Sequence, residues 1–141
     1  MKTRFLISLV VALLLSAAHA HAQTITSYPL KIWNVGATAP ISTTVLPASS
    51  FVCNQTAPTV PPSVINPTKL AIDDVVNVGK VCIYTDSPGG PLLGLPFSSQ
   101  PLQATLAATN SAGTSPDSAV SNSFTRPGLP PPAPTAVRAV P

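Results

Sequence analysis

Residues 102–125 read LQATLAATNSAGTSPDSAVSNSFT, and this stretch decides the fold. In its first part, Leu102, Ala104, Leu106 and Ala108 alternate with residues that are mostly polar. A period of two is that of a β-strand, and it places the four apolar side chains on one face of a sheet. Alanine and leucine also favour helices, but the threonines and the Asn-Ser-Ala-Gly turn that follows favour a strand.

The second part of the stretch predicts a returning strand. Residues 119–126 read AVSNSFTR, with Val120 and Phe124 as the expected inward-facing side chains. A connection rich in turn residues, 110–118, separates the two segments. We therefore predict an antiparallel hairpin.

The prolines indicate where the other strands can lie. All 18 prolines fall beyond residue 28. Because proline has no N–H to donate to a ladder, central strands are expected in the gaps between prolines. These gaps are residues 30–39, 48–57, 68–87, 102–115 and 117–126.

The gaps predict about seven short strands and no helix. Residues 69–73 and 80–85 form a second predicted pair. The remaining predicted strands are residues 31–35, 41–45 or 51–53, and 92–95. Short strands joined by turns predict an all-β antiparallel sandwich. Its expected core comprises Trp33, Leu70, Ile72, Val81, Ile83, Leu102, Leu106, Val120 and Phe124.

The N-terminus has the pattern of a secretory signal peptide, residues 1–22. Lys2 and Arg4 precede an apolar run of 14 residues, 5–18, and small residues follow, with cleavage after Ala22 or Ala20. A helix of that length spans only about 21 Å, against roughly 30 Å for a bilayer core. We expect a secreted protein, extracellular or periplasmic, whose mature chain does not insert stably into a membrane.

The net charge of the mature chain argues against one class of partner, and its proline content separates a tail from the predicted domain. Lys2 and Arg4 belong to the signal peptide, which leaves five basic residues against four Asp and a net charge of +1. A nucleic-acid partner is therefore not expected. Residues 23–126 are the predicted β-sandwich, with an atypical N-terminal segment, and residues 127–141 are a proline-rich linker or tail.

Cys53 and Cys82 are the two cysteines of the chain. An even number of cysteines in an oxidising compartment predicts one disulfide bond. Closing a loop of this length stabilises the folded state by about 3–4 kcal/mol on chain-entropy grounds. The alternative is a pair of buried free thiols.

The stretch that decides the fold resembles the F strand, FG loop and G strand of fibronectin type III domains. The family pattern Ala-x-Asn-x-x-Gly-x-Ser-x-x-Ser falls on Ala108, Asn110, Gly113, Ser115 and Ser118. The resemblance implies a seven-stranded immunoglobulin-like sandwich.

The resemblance extends over about residues 67–126. The segments KLAIDD, 69–74, and KVCIYTD, 80–86, are similar to the family's B and C strands. Ile72 and Leu102 stand where the family usually has a tryptophan and a tyrosine. Because both replacements are apolar, the core can still close, but the tyrosine-corner hydrogen bond would be missing.

The residue inventory argues against an enzyme. The chain contains no Glu, and after cleavage at Ala22 no His remains, so neither a Ser–His nor a Cys–His nucleophile pair can be built. Asp73, Asp74 and Asp86 supply too few oxygens for calcium, and a solvated turn is the favoured interpretation. We expect no catalytic residues, no cofactor and no metal.

Surface recognition is therefore the expected function, carried by loops. One candidate loop contains Asn110, Ser111 and Gly113, and the other contains Asp86 and Gly89. The sequence does not identify the partner; a polysaccharide and a cell-surface protein are the candidates. We expect an exported module for binding, adhesion or spacing. The alternative is a structural subunit of an extracellular assembly that pairs through edge strands.

Overall fold

The computed structural model describes residues 24–127. The predicted signal peptide, 1–22, and all but the first residue of the predicted tail, 127–141, lie outside them. The described part is all-β, as predicted, with ten strands and one short 3-10 turn, Ala48–Ser50. The strands are β1 Ser27–Asn34, β2 Ser42–Pro47, β3 Phe51–Gln55, β4 Ser63–Ile65, β5 Lys69–Asp73, β6 Val81–Thr85, β7 Ser98–Leu106, β8 Thr109–Asn110, β9 Gly113–Thr114 and β10 Ser123–Arg126. Within residues 24–127 there is no helix long and apolar enough to cross a bilayer.

The strands form two sheets. In the larger sheet, β1 pairs with β2 on one side and with β7 on the other, and β10 and β4 extend the sheet beyond β7. In the smaller sheet, β6 lies between β3 and β5. The pairings are antiparallel except for that of β4 with β10, which is parallel. Strand β4 is not among the predicted strands, because only four residues lie between Pro62 and Pro67, and three of them form the strand.

The two sheets share one hydrophobic core. Leu30 and Ile32 of β1 and Leu102 of β7 are at most 2% exposed. Phe51 of the smaller sheet packs against Tyr28 of the larger one, with ring centroids 4.8 Å apart. Each large apolar side chain buried in this way stabilises the folded state by about 1.5–3 kcal/mol.

Most of the predicted core residues lie in or against this core. Those that are buried or packed against it are Leu70, Ile72, Val81, Leu102, Leu106 and Phe124. Trp33 and Ile83 are half-buried. The prediction for Val120 is wrong, because this side chain is 56% exposed.

Three serines explain why Val120 faces solvent. We call Ser115, Ser118 and Ser121 the serine ladder. The N–H of Ser118 donates to the Leu106 carbonyl at 2.8 Å, and its Oγ accepts from the Leu106 N–H at 3.1 Å. Ser115 repeats both contacts with Ala108, and Ser121 repeats them with Ala104.

The serine ladder changes the spacing of the returning segment. Three residues of the ladder segment advance for every two residues of the segment 104–108 at the end of β7, so the alternation of side chains that defines a strand is lost. The returning strand, β10, therefore begins only at Ser123 rather than at residue 119. It pairs antiparallel with β7 as predicted, with Phe124 opposite Leu102.

Three prolines lie in strands, although central strands were expected only in the gaps between prolines: Pro47 is the last residue of β2, and Pro29 and Pro101 lie inside β1 and β7. Pro29 is in β1, and its carbonyl accepts from the Ala107 N–H at 3.0 Å. Pro101 is in β7, and its carbonyl accepts from the Val35 N–H at 3.0 Å. A proline still offers an acceptor to the ladder, and only its missing donor interrupts it. The ladder between β1 and β7 is interrupted at Pro29. Beyond this interruption, β8 pairs with β1 in the same register as β7 does.

The segments that resemble strands B and C pair differently from the family. In immunoglobulin-like sandwiches those two strands lie in opposite sheets. Here β5 and β6 are neighbours in one sheet and form a hairpin, with Ile72 opposite Cys82. The assignment of these two segments to strands B and C is therefore wrong.

Candidate functional site

The hairpin between β5 and β6 presents three valines to solvent. Val75, Val76 and Val78 are 78%, 81% and 97% exposed, which makes them the most exposed large apolar side chains of residues 24–127. We call residues 74–79 the valine tip. Gly79 allows the hairpin to close, since its φ of +79° is strained for residues with a side chain.

The valine tip is held in one conformation by the carboxylate of Asp74. Its Oδ1 accepts from the N–H groups of Val76 and Asn77 at 2.9 and 3.1 Å. Its Oδ2 accepts from the Asn77 side-chain amide at 2.8 Å and from the Asn54 N–H at 2.9 Å. These bonds, led by that of the Asn77 side chain, lower the pKa of Asp74 to about 2. The carboxylate is therefore ionised at neutral pH and acts as the centre of the turn.

The disulfide bond lies directly beneath the valine tip. Cys53 and Cys82 are bonded, as predicted, and join the neighbouring strands β3 and β6. Their sulfurs lie within 4.8 Å of an Asp74 carboxylate oxygen. Because both thiols are consumed by the bond, they offer no thiolate to a metal. The three residues together form a rigid base for the tip.

A shallow apolar groove of about 260 Å³ adjoins the valine tip. Its apolar lining includes Ile25, Tyr28, Ile72, Val75, Leu106 and Ala107. Ser115 and Ser118 of the serine ladder line the groove on the other side. Val75 thus belongs both to the tip and to the lining of the groove, and it connects the two.

The first predicted binding loop lies beside this groove. Asn110 and Gly113 are paired across a tight turn that directly precedes the serine ladder. The Asn110 side chain accepts from the Ala112 N–H at 2.8 Å, so it is used inside the turn. Ser111 and Gly113 are exposed at the turn. The structure therefore brings this loop close to the groove.

The second predicted loop lies at the other end of the smaller sheet, since it follows the last residue of β6. Asp86 is only 8% exposed. Its carboxylate accepts from the Tyr84 hydroxyl at 2.8 Å and from the N–H groups of Leu92 and Leu93 at 2.8 and 2.7 Å. Asp86 thus organises the loop from within, while Gly89 is exposed.

The hydrogen bonds around Asp86 change two pKa values. Burial would raise the pKa of the Asp86 carboxyl, but bonds from Leu93, Tyr84, Leu92 and Ser87 together lower it. Burial, followed by the bond to the Asp86 anion, raises the pKa of Tyr84 to about 12. The prediction of a strand at residues 92–95 is wrong, because this loop turns around the carboxylate.

Arg126 is a buried charge that sequence reasoning missed. It is 6% exposed, lies 5.2 Å from the Phe97 ring centroid, and donates from its guanidinium to the Leu92 carbonyl. The Leu92 peptide therefore connects Arg126 to Asp86, whose carboxylate binds its N–H. This arrangement fixes the loop between β6 and β7, while Nε of Arg126 is buried without a hydrogen-bond partner among the described residues.

Sequence reasoning also missed the valine tip. The segment DDVVNVGK, 73–80, was interpreted only as a connection, because Asp, Asn and Gly are typical turn residues. Three valines among them are an available signal, since valine is unusual in an exposed turn.

Comparison with known proteins found no matching family model, no matching curated protein and no matching solved structure.

Proposed function

We propose that this chain is an exported, non-catalytic binding module that contacts a cell-surface protein through the valine tip. The proposal also assigns the chain to the immunoglobulin-like sandwiches, and it is supported there by the fibronectin type III-like pattern in residues 102–125. The observation that carries the proposal is the exposure of three apolar side chains on a turn that four hydrogen bonds hold in place.

Rigid exposed valines are suited to binding. Burying three valine side chains on a partner would contribute on the order of 5 kcal/mol. Because Asp74 already fixes the turn, little conformational entropy is lost when the tip is covered. The adjoining groove extends the apolar contact area beyond the three side chains.

The residues around the tip favour a protein over a membrane or a polysaccharide. The tip carries the charge of Asp74 and follows the exposed Asp73, so it does not attract anionic headgroups. It has no Trp or Tyr, the residues that anchor proteins at a bilayer interface. The aromatic side chain of the adjoining groove, Tyr28, packs its ring against Phe51, with centroids 4.8 Å apart. An apolar depression on a protein is the surface that fits three valines.

The test is binding of the fluorescently labelled protein to intact cells of its source. We expect binding to fall at least about tenfold when Val75, Val76 and Val78 are replaced by serine. Val52→Ser is the matched control, since Val52 is 63% exposed on a strand elsewhere on the surface. Protease treatment of the cells should abolish binding.

Two results would contradict the proposal. One is equal binding by the triple variant and the wild type. The other is strong binding of the wild type to protein-free vesicles of phosphatidylcholine and phosphatidylglycerol, which would assign the tip to lipid.

A further inference from the structure

Among residues 24–127, no strand pairs with the outer edge of β2. The carbonyl of Pro29 in β1 and the N–H of Val35, the residue that follows β1, both bond to the segment of β7, so the odd-numbered residues of β1 face that strand. The even-numbered residues of β1 therefore face β2, where Leu30 is opposite Thr44. It follows that Thr43 and Val45 direct their N–H and C=O groups away from β1. Within residues 24–127, β2 has no second neighbouring strand.

β2 also lacks the features that normally protect an edge. Soluble proteins blunt edge strands with charges, bulges, prolines or short length. The edge strand β5 carries Lys69 and Asp73, β3 has a register shift between Val52 and Gln55, and β4 has three residues. β2 has six residues, STTVLP, with no charge and with a proline only at its last position.

Within residues 24–127, a groove of about 420 Å³ separates β2 from the loop between β6 and β7. It is lined by Ser42 and Thr44 of β2 and by Gly89, Gly90 and Gly94 of the loop. Thr43 and Val45, whose main-chain groups point away from β1, do not line this groove.

Charge and symmetry indicate that a second copy of the chain fits this edge. Without the predicted signal peptide the chain has five Lys or Arg and four Asp, so its net charge is only +1 and the repulsion between two copies is small. A two-fold axis at Thr44 would place Thr43 of each copy opposite Val45 of the other. Both residues are β-branched and suit such cross-strand pairs. Pro40 and Pro47 bracket the segment and limit the pairing to these residues.

We propose that two copies of this chain dimerise through β2, paired antiparallel about Thr44. Thr43 and Val45 of each copy exchange N–H···O bonds with their counterparts, and the two larger sheets become one. This dimer is independent of the valine tip, which belongs to the smaller sheet. Because edge pairing buries little surface, we expect a weak dimer with a dissociation constant on the order of 100 μM.

Sedimentation equilibrium of the protein recovered after export tests the dimer. We expect a concentration-dependent dimer whose dissociation constant rises at least about tenfold in Val45→Pro, which removes one edge donor per copy. Val45→Ala is the control, because it keeps that donor while shortening the same side chain. If Val45→Pro does not fold, as judged by circular dichroism, Thr43→Lys replaces it and should also prevent dimerisation. A wild type that stays monomeric at 1 mM, or a dimer unaffected by both substitutions, would overturn the proposal.

Cysteine cross-linking tests the register. Residues that face each other across a non-hydrogen-bonded antiparallel pair lie about 4.5 Å apart at Cα, within the range that a disulfide spans. Thr44→Cys should therefore yield a covalent dimer under air. Val45→Cys should yield much less, since its counterpart lies diagonally at about 7–8 Å. Equal yields for the two variants would contradict this register.

Discussion

The N–H of Asn54 donates to the carboxylate of Asp74 at 2.9 Å, across a separation of 20 residues in the chain. Asn54 has a φ of +59° and lies where the pairing of β3 with β6 shifts register. The shift leaves its N–H outside the ladder, where it reaches the valine tip instead. A local irregularity in one strand thus fixes the conformation of a hairpin formed by two others.

The depressed pKa of Asp74 predicts acid sensitivity. Its contribution to folding is fully present above the ordinary value of 3.8 and is lost as the pH falls through about 2. In Asp74→Asn we expect lower stability at pH 6 and a smaller further loss between pH 5 and pH 2. Urea unfolding across this range is the measurement, with Asp73→Asn, at an exposed position, as the control. Parallel pH profiles of wild type and Asp74→Asn would be inconsistent with this role.

The disulfide bond is expected to be a major source of stability. The cysteines are separated by 29 residues, so replacing both by alanine should lower the free energy of unfolding by about 3 kcal/mol. Urea unfolding of the double variant and of the reduced wild type should give the same midpoint. Mass spectrometry must find the wild type two hydrogens lighter than its reduced form; detection of free thiols would disprove the bond.

Gly90 is predicted to be irreplaceable. A Cβ at this position would lie 1.8 Å from Oδ1 of Asp86, so Gly90→Ala should displace the buried carboxylate and destabilise the fold by about 2–3 kcal/mol. Gly89→Ala meets no atom within 4 Å, and only its φ of +82° opposes it. We expect it to cost about 1 kcal/mol. If Gly90→Ala and Gly89→Ala lowered the stability measured by thermal unfolding equally, the loop would have to move to accommodate the new Cβ.

The Tyr84–Asp86 bond predicts an alkaline transition. The raised pKa of Tyr84 means that its contribution to stability is present below pH 10 and is lost as the pH rises through about 12. Asp86→Asn removes the neighbouring anion, so the pKa of Tyr84 should fall towards 10. Ultraviolet titration of the tyrosines measures this, with Tyr84→Phe assigning the signal. An unchanged titration curve in Asp86→Asn would argue against the contact.

The serine ladder should be needed for stability at its buried end. Ser121→Ala leaves the N–H of the buried Ala104 without its side-chain acceptor, at a cost of about 1–3 kcal/mol. Ser111→Ala, in the exposed turn, should change stability by less than about 0.5 kcal/mol. Chemical denaturation of both variants compares them directly. Similar losses of unfolding free energy in the two variants would mean that water replaces the Ser121 hydroxyl as the acceptor.

Sequence reasoning succeeded where a pattern was local. The alternation around Leu102 predicted β7, and the two cysteines predicted the disulfide, because each signal concerns a few residues and one rule. It failed at Val120, since the effect of three serines on strand spacing depends on contacts with β7. It also treated Asp86 as a surface residue, because burial of an Asp depends on donors that the loop supplies only after folding.

The sequence by itself determined that residues 24–127 are all-β, that β7 meets a returning strand carrying Phe124, and that Cys53 and Cys82 bond. Each follows from side-chain period, from turn residues or from the number of thiols. Only the tertiary structure decided that β5 and β6 share a sheet, that Asp74 fixes the valine tip, and that β2 has one unpaired edge within residues 24–127. Those outcomes depend on which strands become neighbours, and the pairing of distant segments is set by the free energy of the whole core rather than by any single stretch.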